Sequence, residues 1–354
     1  MLETLLDRWG DGTVLALAGL ITGLLFGIAA QHSRFCLRAA TAEVAEGQVG
    51  GRMSIWLVAF FAALLATQLA IYFGILDVST ARQLAATGSL SGAIVGGLLF
   101  GSGMILARGC ASRLLVLSGT GNMRALVAGL VVTLVAQASY RGVLAPAREW
   151  VAGLWTIDGG ADRNLMAILG ITDIAVLGLG LVGLLVGIAL ASWRRVPVLR
   201  TFAGVVVGLA VALGWWLTWR IASTSFDVVP ISSVTFTGPS TDTLMALVAE
   251  REIALNFGIG LVPGVFLGAA LMAILSHEWQ IQRFGPDTPM ERYLIGAVMM
   301  GFGAMLAGGC AVGAGVSGGA ILSLTAWLAV AAMWVGALAT VHITRIRDAR
   351  VGLA

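Results

Sequence analysis

Of the 354 residues, 58% are hydrophobic and 11% charged, against roughly 45–50% and 25% in soluble domains. The 21 basic residues are all arginine, and 18 acids leave a net charge of +3. That composition excludes a water-soluble enzyme, and so weak and scattered a charge excludes a nucleic-acid binder. Three cysteines in so long a chain exclude a disulfide scaffold. An integral membrane protein remains.

Charge-free stretches mark the spans, because a charge at mid-bilayer costs about 2.5 kcal/mol or more. They run Gly12–Ser33, Met53–Leu76, Gln83–Ala107, Ala125–Tyr140, Ile174–Trp193, Thr201–Trp219 and Ile253–His277. The last, Tyr293–Thr344, holds 52 residues without a charge. A bilayer core takes roughly 20 helical residues, so this run predicts two helices around the glycine-rich break 308–319. The total is nine spans. The flank Met1–Gly12 carries Glu3, Asp7 and Asp11 against Arg8, which is not the basic start of a signal peptide. Fourteen arginines fall on the side of the C-terminus and seven (Arg8, Arg82, Arg141, Arg148, Arg163, Arg220, Arg251) on the other. The positive-inside rule then predicts a cytoplasmic C-terminus and an external N-terminus.

Residues 101–111 and 301–311 match at seven of eleven positions with a constant offset of 200, including Cys110 and Cys310. More loosely, Arg34-Phe35-Cys36 after span 1 parallels Thr235-Phe236-Thr237-Gly238-Pro239 after span 6. The expected fold is all-α and polytopic: spans 1–4 (residues 1–143), a linking span 5 (166–193), and spans 6–9 (200–345). With four spans and one crossing between the copies, the second copy must be inverted, as in many transporters. Breaks at membrane depth are tolerated only where buried or lining a cavity. Short re-entrant helices starting there would aim amide N–H groups at a common point, which favours an anion.

All three cysteines, Cys36, Cys110 and Cys310, fall at such breaks. They are either small apolar packing residues or ligands in an anion path. A thiol is a weak donor with a polarizable sulfur, which suits a soft, sulfur-bearing solute. The histidines His32, His277 and His342 are scattered, which gives no zinc spacing. Thr235, Thr237 and Ser240 either donate to substrate oxygens or cap a helix after Pro239. Arg108 and Arg113 either attract an anion at the exit or follow the charge bias. Gly92, Gly96, Gly97 and Gly101 have the spacing of close helix packing. Residues 141–163 read as an external loop with a surface helix. No cofactor or metal is expected.

These segments together resemble the YeeE/YedE family of sulfur-transport membrane proteins over nearly the whole chain. The carrying motifs are Arg34-Phe35-Cys36, Gly109-Cys110-Ala111-Ser112-Arg113 with Gly119-Thr120-Gly121-Asn122, Thr235-Phe236-Thr237-Gly238-Pro239 and Gly308-Gly309-Cys310. The resemblance implies an hourglass-shaped, nine-span inverted repeat that takes up thiosulfate across the bacterial inner membrane. It implies a relay of thiols: Cys310 at the outer entrance, Cys110 near the constriction, Cys36 toward the cytoplasm. The flanking Gly109, Ala111, Gly309 and Ala311, the segment Thr235, Thr237, Gly238 and Ser240, and Arg113 complete the candidate site. Ala314 stands where members often carry a polar residue. No sulfurtransferase domain follows before Ala354, so a separate TusA-like cytoplasmic partner is expected by analogy. The alternatives are a membrane sulfurtransferase that forms a cysteine persulfide, a transporter of selenium or other sulfur species, or a structural subunit.

Overall fold

The computed structural model describes residues 2–248, 254–283 and 290–351, with the backbone alone described for 347–351. Arg251 of the orientation argument lies outside the described residues, as do the side chains of Arg347 and Arg350. A short helix α1 (Leu2–Trp9) leads into α2 (Asp11–Ser33), the stub α3 (Leu37–Ala45) and α4 (Gly51–Tyr72). The turn α5 (Arg82–Ala85) precedes α6 (Leu90–Leu106), the stub α7 (Ala111–Gly119) and α8 (Met123–Arg141). An outer segment contains α9 (Ala145–Gly153), the expected surface helix, then a 3₁₀ turn (Gly160–Arg163) and α10 (Leu165–Leu169). Next come α11 (Asp173–Trp193), α12 (Val198–Ala222), the stub α13 (Thr237–Val248) and α14 (Phe257–Leu275). The chain closes with α15 (Met290–Leu306), a π-helical stub (Ala311–Gly318) and α16 (Leu324–Val351). β1 (Gly88–Ser89) and β2 (Thr156–Ile157) form a two-residue antiparallel ladder.

Nine helices among the described residues are long and apolar enough to cross a membrane. They are α2, α4, α6, α8, α11, α12, α14, α15 and α16, and each overlaps one expected span. The 52-residue apolar run divides into α15 and α16 as its glycine break predicts. The protein is an all-α, polytopic membrane protein.

Packing follows a paired pattern. α2 packs on α14 as α4 packs on α12; α6 packs on α16 as α8 packs on α15; α3 lies on α16 as α13 lies on α8. Shifting every span by five exchanges the members of each pair. α6 with α15, and α2 with α12, are contacts that map onto themselves.

Glycine makes the self-paired contact possible. A Cβ on Gly103 would stand 2.5 Å from the Gly296 carbonyl, and one on Gly303 would stand 2.7 Å from that of Gly96. These two contacts are related by the same offset of 200 residues read from the sequence. Backbones so close exchange dispersion and weak Cα–H···O contacts where larger residues would hold the helices apart. The expected packing glycines Gly92, Gly96, Gly97 and Gly101 all meet a neighbouring backbone or side chain in this way. α11 is the least buried span. It packs one face on α4 and exposes Leu179, Leu181, Val182 and Leu185, as a lipid-facing linker should.

Replacing Gly303 by leucine forces α6 and α15 apart and should cost about 1–3 kcal/mol or more. Thermal unfolding of the purified protein in detergent reads this as a lowered midpoint. Gly178→Leu on α11, where a Cβ meets nothing within 4 Å, should leave the midpoint unchanged.

Candidate functional site

Each cysteine occupies the same local position, the extended residue immediately before a short helix. Cys36 precedes α3, Cys110 precedes α7 and Cys310 precedes the π-helix. The chain reaches these positions through left-handed backbone: Arg34 has φ 57°, Arg108 φ 55° and Gly308 φ 77°. Arg108 and Gly308 are repeat partners, so both copies reverse by the same device. All three thiols are buried and unbridged.

The usual capping oxygen is missing from these starts. Cys36 and Cys110 make no side-chain cap, and Cys310 Sγ accepts from Gly313 N at 3.4 Å. Sulfur is a weak acceptor, so first-turn amides at these breaks are less firmly engaged than a serine or threonine cap would leave them. Cys110 Sγ lies 3.3 Å from Ser112 Oγ. The Cys36 and Cys110 thiols, although they come from different breaks, lie close enough to act on one another. The charges of Arg113 and Arg38 act on the Cys36 thiol.

Three buried rings join this pair to the third break. Phe26 contacts Phe35 (centroids 6.4 Å) and Phe236 (5.3 Å). Phe35 precedes Cys36, and Phe236 precedes Thr237. Beyond Phe236 opens a cavity of about 240 Å³ lined by Thr235, Thr237, Gly238, Gly308, Gly309, Arg82 and Arg148, among others. A Cβ on Gly313 would strike the Thr235 hydroxyl, so Thr235 rests on the first turn after Cys310. A neighbouring cavity of about 230 Å³ shares Arg82, Arg148 and Gly308 and adds Arg163, Ala314, Ser323 and Thr325. Ala314 therefore lines this second cavity, where Ser323 and Thr325 supply hydroxyls.

Arg163 stitches the cavity wall. It donates to Ala86 O (2.5 Å), Arg82 O (3.2 Å) and Thr325 Oγ1 (2.6 Å). Burial, and secondarily the charge of Arg82, push this guanidinium below the ordinary arginine value. The Nε atoms of Arg148 and Arg163 are buried without a hydrogen-bond partner among the described residues. Buried unpaired donors are costly.

Several expectations need correction. The helix near Pro239 starts at Thr237, ahead of the proline rather than after it, with Ser240 N bonded to Phe236 O (2.9 Å). Proline lacks the N–H that a first turn leaves unbonded anyway, so Pro239 sits inside the helix. Ser240 and Ala111 face away from the outer cavity and line a lateral crevice of about 190 Å³ between α7, α8, α13 and α14. Arg108 and Arg113, considered together, separate. Arg108 lies over the Tyr293 ring at 5.9 Å, whereas Arg113 bonds Gln31 Oε1 at 3.3 Å beside the thiol pair. Arg82, Arg148 and Phe26 escaped sequence reasoning. The two arginines are far apart in the chain and entered only as a charge tally, and Phe26 sits in an unbroken apolar run.

Nine candidate spans among the described residues, with short helices at four breaks and buried thiols before three of them, describe a polytopic membrane protein. The chain belongs to the sulphur-transport family, whose model matches residues 32–339. It is 26% identical over 359 residues to the thiosulfate transporter TsuA of Escherichia coli (strain K12), covering 95% of this chain and 96% of that protein. It is 28% identical over 326 residues to the thiosulfate transporter TsuA of Spirochaeta thermophila, covering 88% and 93%.

Arg163→Ala removes charged hydrogen bonds to Ala86 O and Thr325. It should destabilise the fold by about 1.5–3 kcal/mol, seen as a lower unfolding midpoint in detergent, while Arg82→Ala, on an exposed side chain, should not.

Proposed function

We propose that this protein takes up thiosulfate or a closely related sulfur anion across the bacterial inner membrane. In this reading the N-terminus is external, the C-terminus cytoplasmic, and residues 1–143 and 200–345 are inverted copies linked by span 5. The paired packing of helices supports the repeat, and the thiosulfate transporters among its relatives support the substrate class. The observation that carries the mechanism is that a buried cysteine stands immediately before each of three short helices and that two of these thiols, from separate breaks, lie near one another.

The anion is first concentrated in the outer cavity by the positive charge of Arg82 and Arg148. Thr235, Thr237 and the Gly308-Gly309 backbone lie where it would shed water on the way to Cys310. Past the Phe26–Phe35–Phe236 rings it reaches Cys110 and Cys36. At each step a protonated thiol donates weakly to the ion while nearby amides and arginines balance its charge. Weak donors at several sites hold the ion without trapping it, which conduction requires. A TusA-like sulfurtransferase on the inner side would draw flux by consuming the product.

Cys110→Ala and Cys310→Ala should each abolish uptake of labelled thiosulfate in cells, with the protein still present in the membrane. Normal uptake by both variants would overturn the relay. Intact-protein mass after substrate exposure should show no added sulfur on any cysteine; a persistent gain of one sulfur would favour the persulfide route instead. Arg82→Ala and Arg148→Ala should raise the half-saturating thiosulfate concentration several-fold, with the difference shrinking as salt rises.

A further inference from the structure

The inner end of the path carries a polar chain that the relay itself does not require. Gln31 is buried at the end of α2, with 6% of its surface exposed. Its Oε1 accepts from Arg113 Nη1 at 3.3 Å, and its Nε2 donates to Glu278 Oε2 at 3.1 Å. Arg34, at the left-handed turn that ends α2, donates from Nη2 to Glu278 Oε1 at 2.9 Å. Glu278 comes from the other half of the molecule, just past α14. One carboxylate is thus held through both oxygens by an amide and a guanidinium.

The orientation of that amide is determined by its neighbours. Arg113 has only donors, so Gln31 must turn its oxygen toward Arg113 and its NH₂ toward Glu278. Arg113 in turn acts electrostatically on the thiols of both Cys36 and Cys110. The Gln31 NH₂ and the Arg34 guanidinium are therefore a ready-made oxyanion cradle one residue removed from the thiol pair.

We propose that Gln31 and Arg34, with Arg113 orienting the amide, form an inner oxyanion site, and that the Glu278 carboxylate is a tethered anion occupying it until substrate displaces it. Displacement is feasible because the pair is not deeply buried: Arg34 and Glu278 side chains are 39% and 42% exposed, and exposed ion pairs are weak. The cradle offers N–H donors and positive charge without a thiol, so it reads oxygen and charge rather than sulfur. It takes sulfate as readily as thiosulfate. Selection for sulfur then rests upstream, on the cysteines, and the inner site governs release.

This inference rests on the transport reading for its direction of flow, but its test does not. Purified protein in detergent is labelled at Cys36 with a charged methanethiosulfonate reagent, in Cys110→Ala,Cys310→Ala background so that one thiol reports. Adding Glu278→Gln should speed labelling up to about fivefold, the equilibrium range of an exposed ion pair. In that variant both sulfate and thiosulfate should slow labelling again, and further replacement of Gln31 by methionine or Arg34 by glutamine should abolish the protection. Unchanged labelling with Glu278→Gln, or protection that survives loss of both Gln31 and Arg34, would overturn the site. In proteoliposomes carrying the native cysteines, Glu278→Gln should raise the initial thiosulfate flux. If the parent moves no thiosulfate while the labelling pattern holds, the transport reading fails and the oxyanion site stands.

Discussion

A backbone that leaves the helix inside a membrane has no water to bond, so every break must be satisfied by the protein itself. This requirement organises the molecule. The carbonyls at the end of the π-helical stub after Cys310 are answered by tryptophan and glutamine side chains from three directions. Trp215 Nε1 bonds Ser317 O, Trp327 Nε1 bonds Gly319 O, and Gln68 Nε2 bonds Ala320 O. Ser317 Oγ reaches back to Val234 O in the neighbouring break. The polar groups buried in α4, α12 and α16 are thus supports for irregular backbone, and the site owes its rigidity to them.

The two copies support their breaks in parallel ways. On one side the segment Gln280–Gln282 lies along the turn at Thr120–Asn122, with Gln282 N bonded to Gly121 O at 3.0 Å. On the other, Ser323 Oγ bonds Gln83 O at 2.9 Å. The stub α7 and the π-helical stub therefore each end against a polar segment from the opposite half. The halves differ in what they present at their mouths. The outer one gathers arginines with unpaired nitrogens around open volume, whereas the inner one fills its cradle with its own carboxylate.

Much of the fold was legible because hydropathy and glycine are strong local signals. The 52-residue apolar run had to break, and Gly308 at φ 77° is where it does. The offset of 200 residues was visible from Cys110 and Cys310 and reappears in the Gly103–Gly296 and Gly303–Gly96 contacts. What stayed illegible was whatever depends on tertiary assembly. Nothing local in Arg82 or Arg148 announces a shared cavity, and Gln31 reads as an ordinary polar residue at a helix end. The segment near Pro239 was misjudged because proline suggests a start, while burial of Phe236 and Thr237 pulls the helix start ahead of it. Arg108 and Arg113 looked equivalent by sequence distance from Cys110, but a helix start at Ala111 sends their side chains in different directions.

The reciprocal glycine contact between α6 and α15 also limits how the molecule can move. Helices that touch backbone to backbone at paired notches act as a keyed joint: sliding by a fraction of a turn drives a carbonyl into the space a glycine has vacated for its partner. A carrier that rocks its two halves about the centre would have to unseat that joint in every cycle. The lower-energy motions here are rotamer changes of phenylalanine rings, thiols and one carboxylate. In the proposed uptake, opening comes from side-chain gating within a fixed frame.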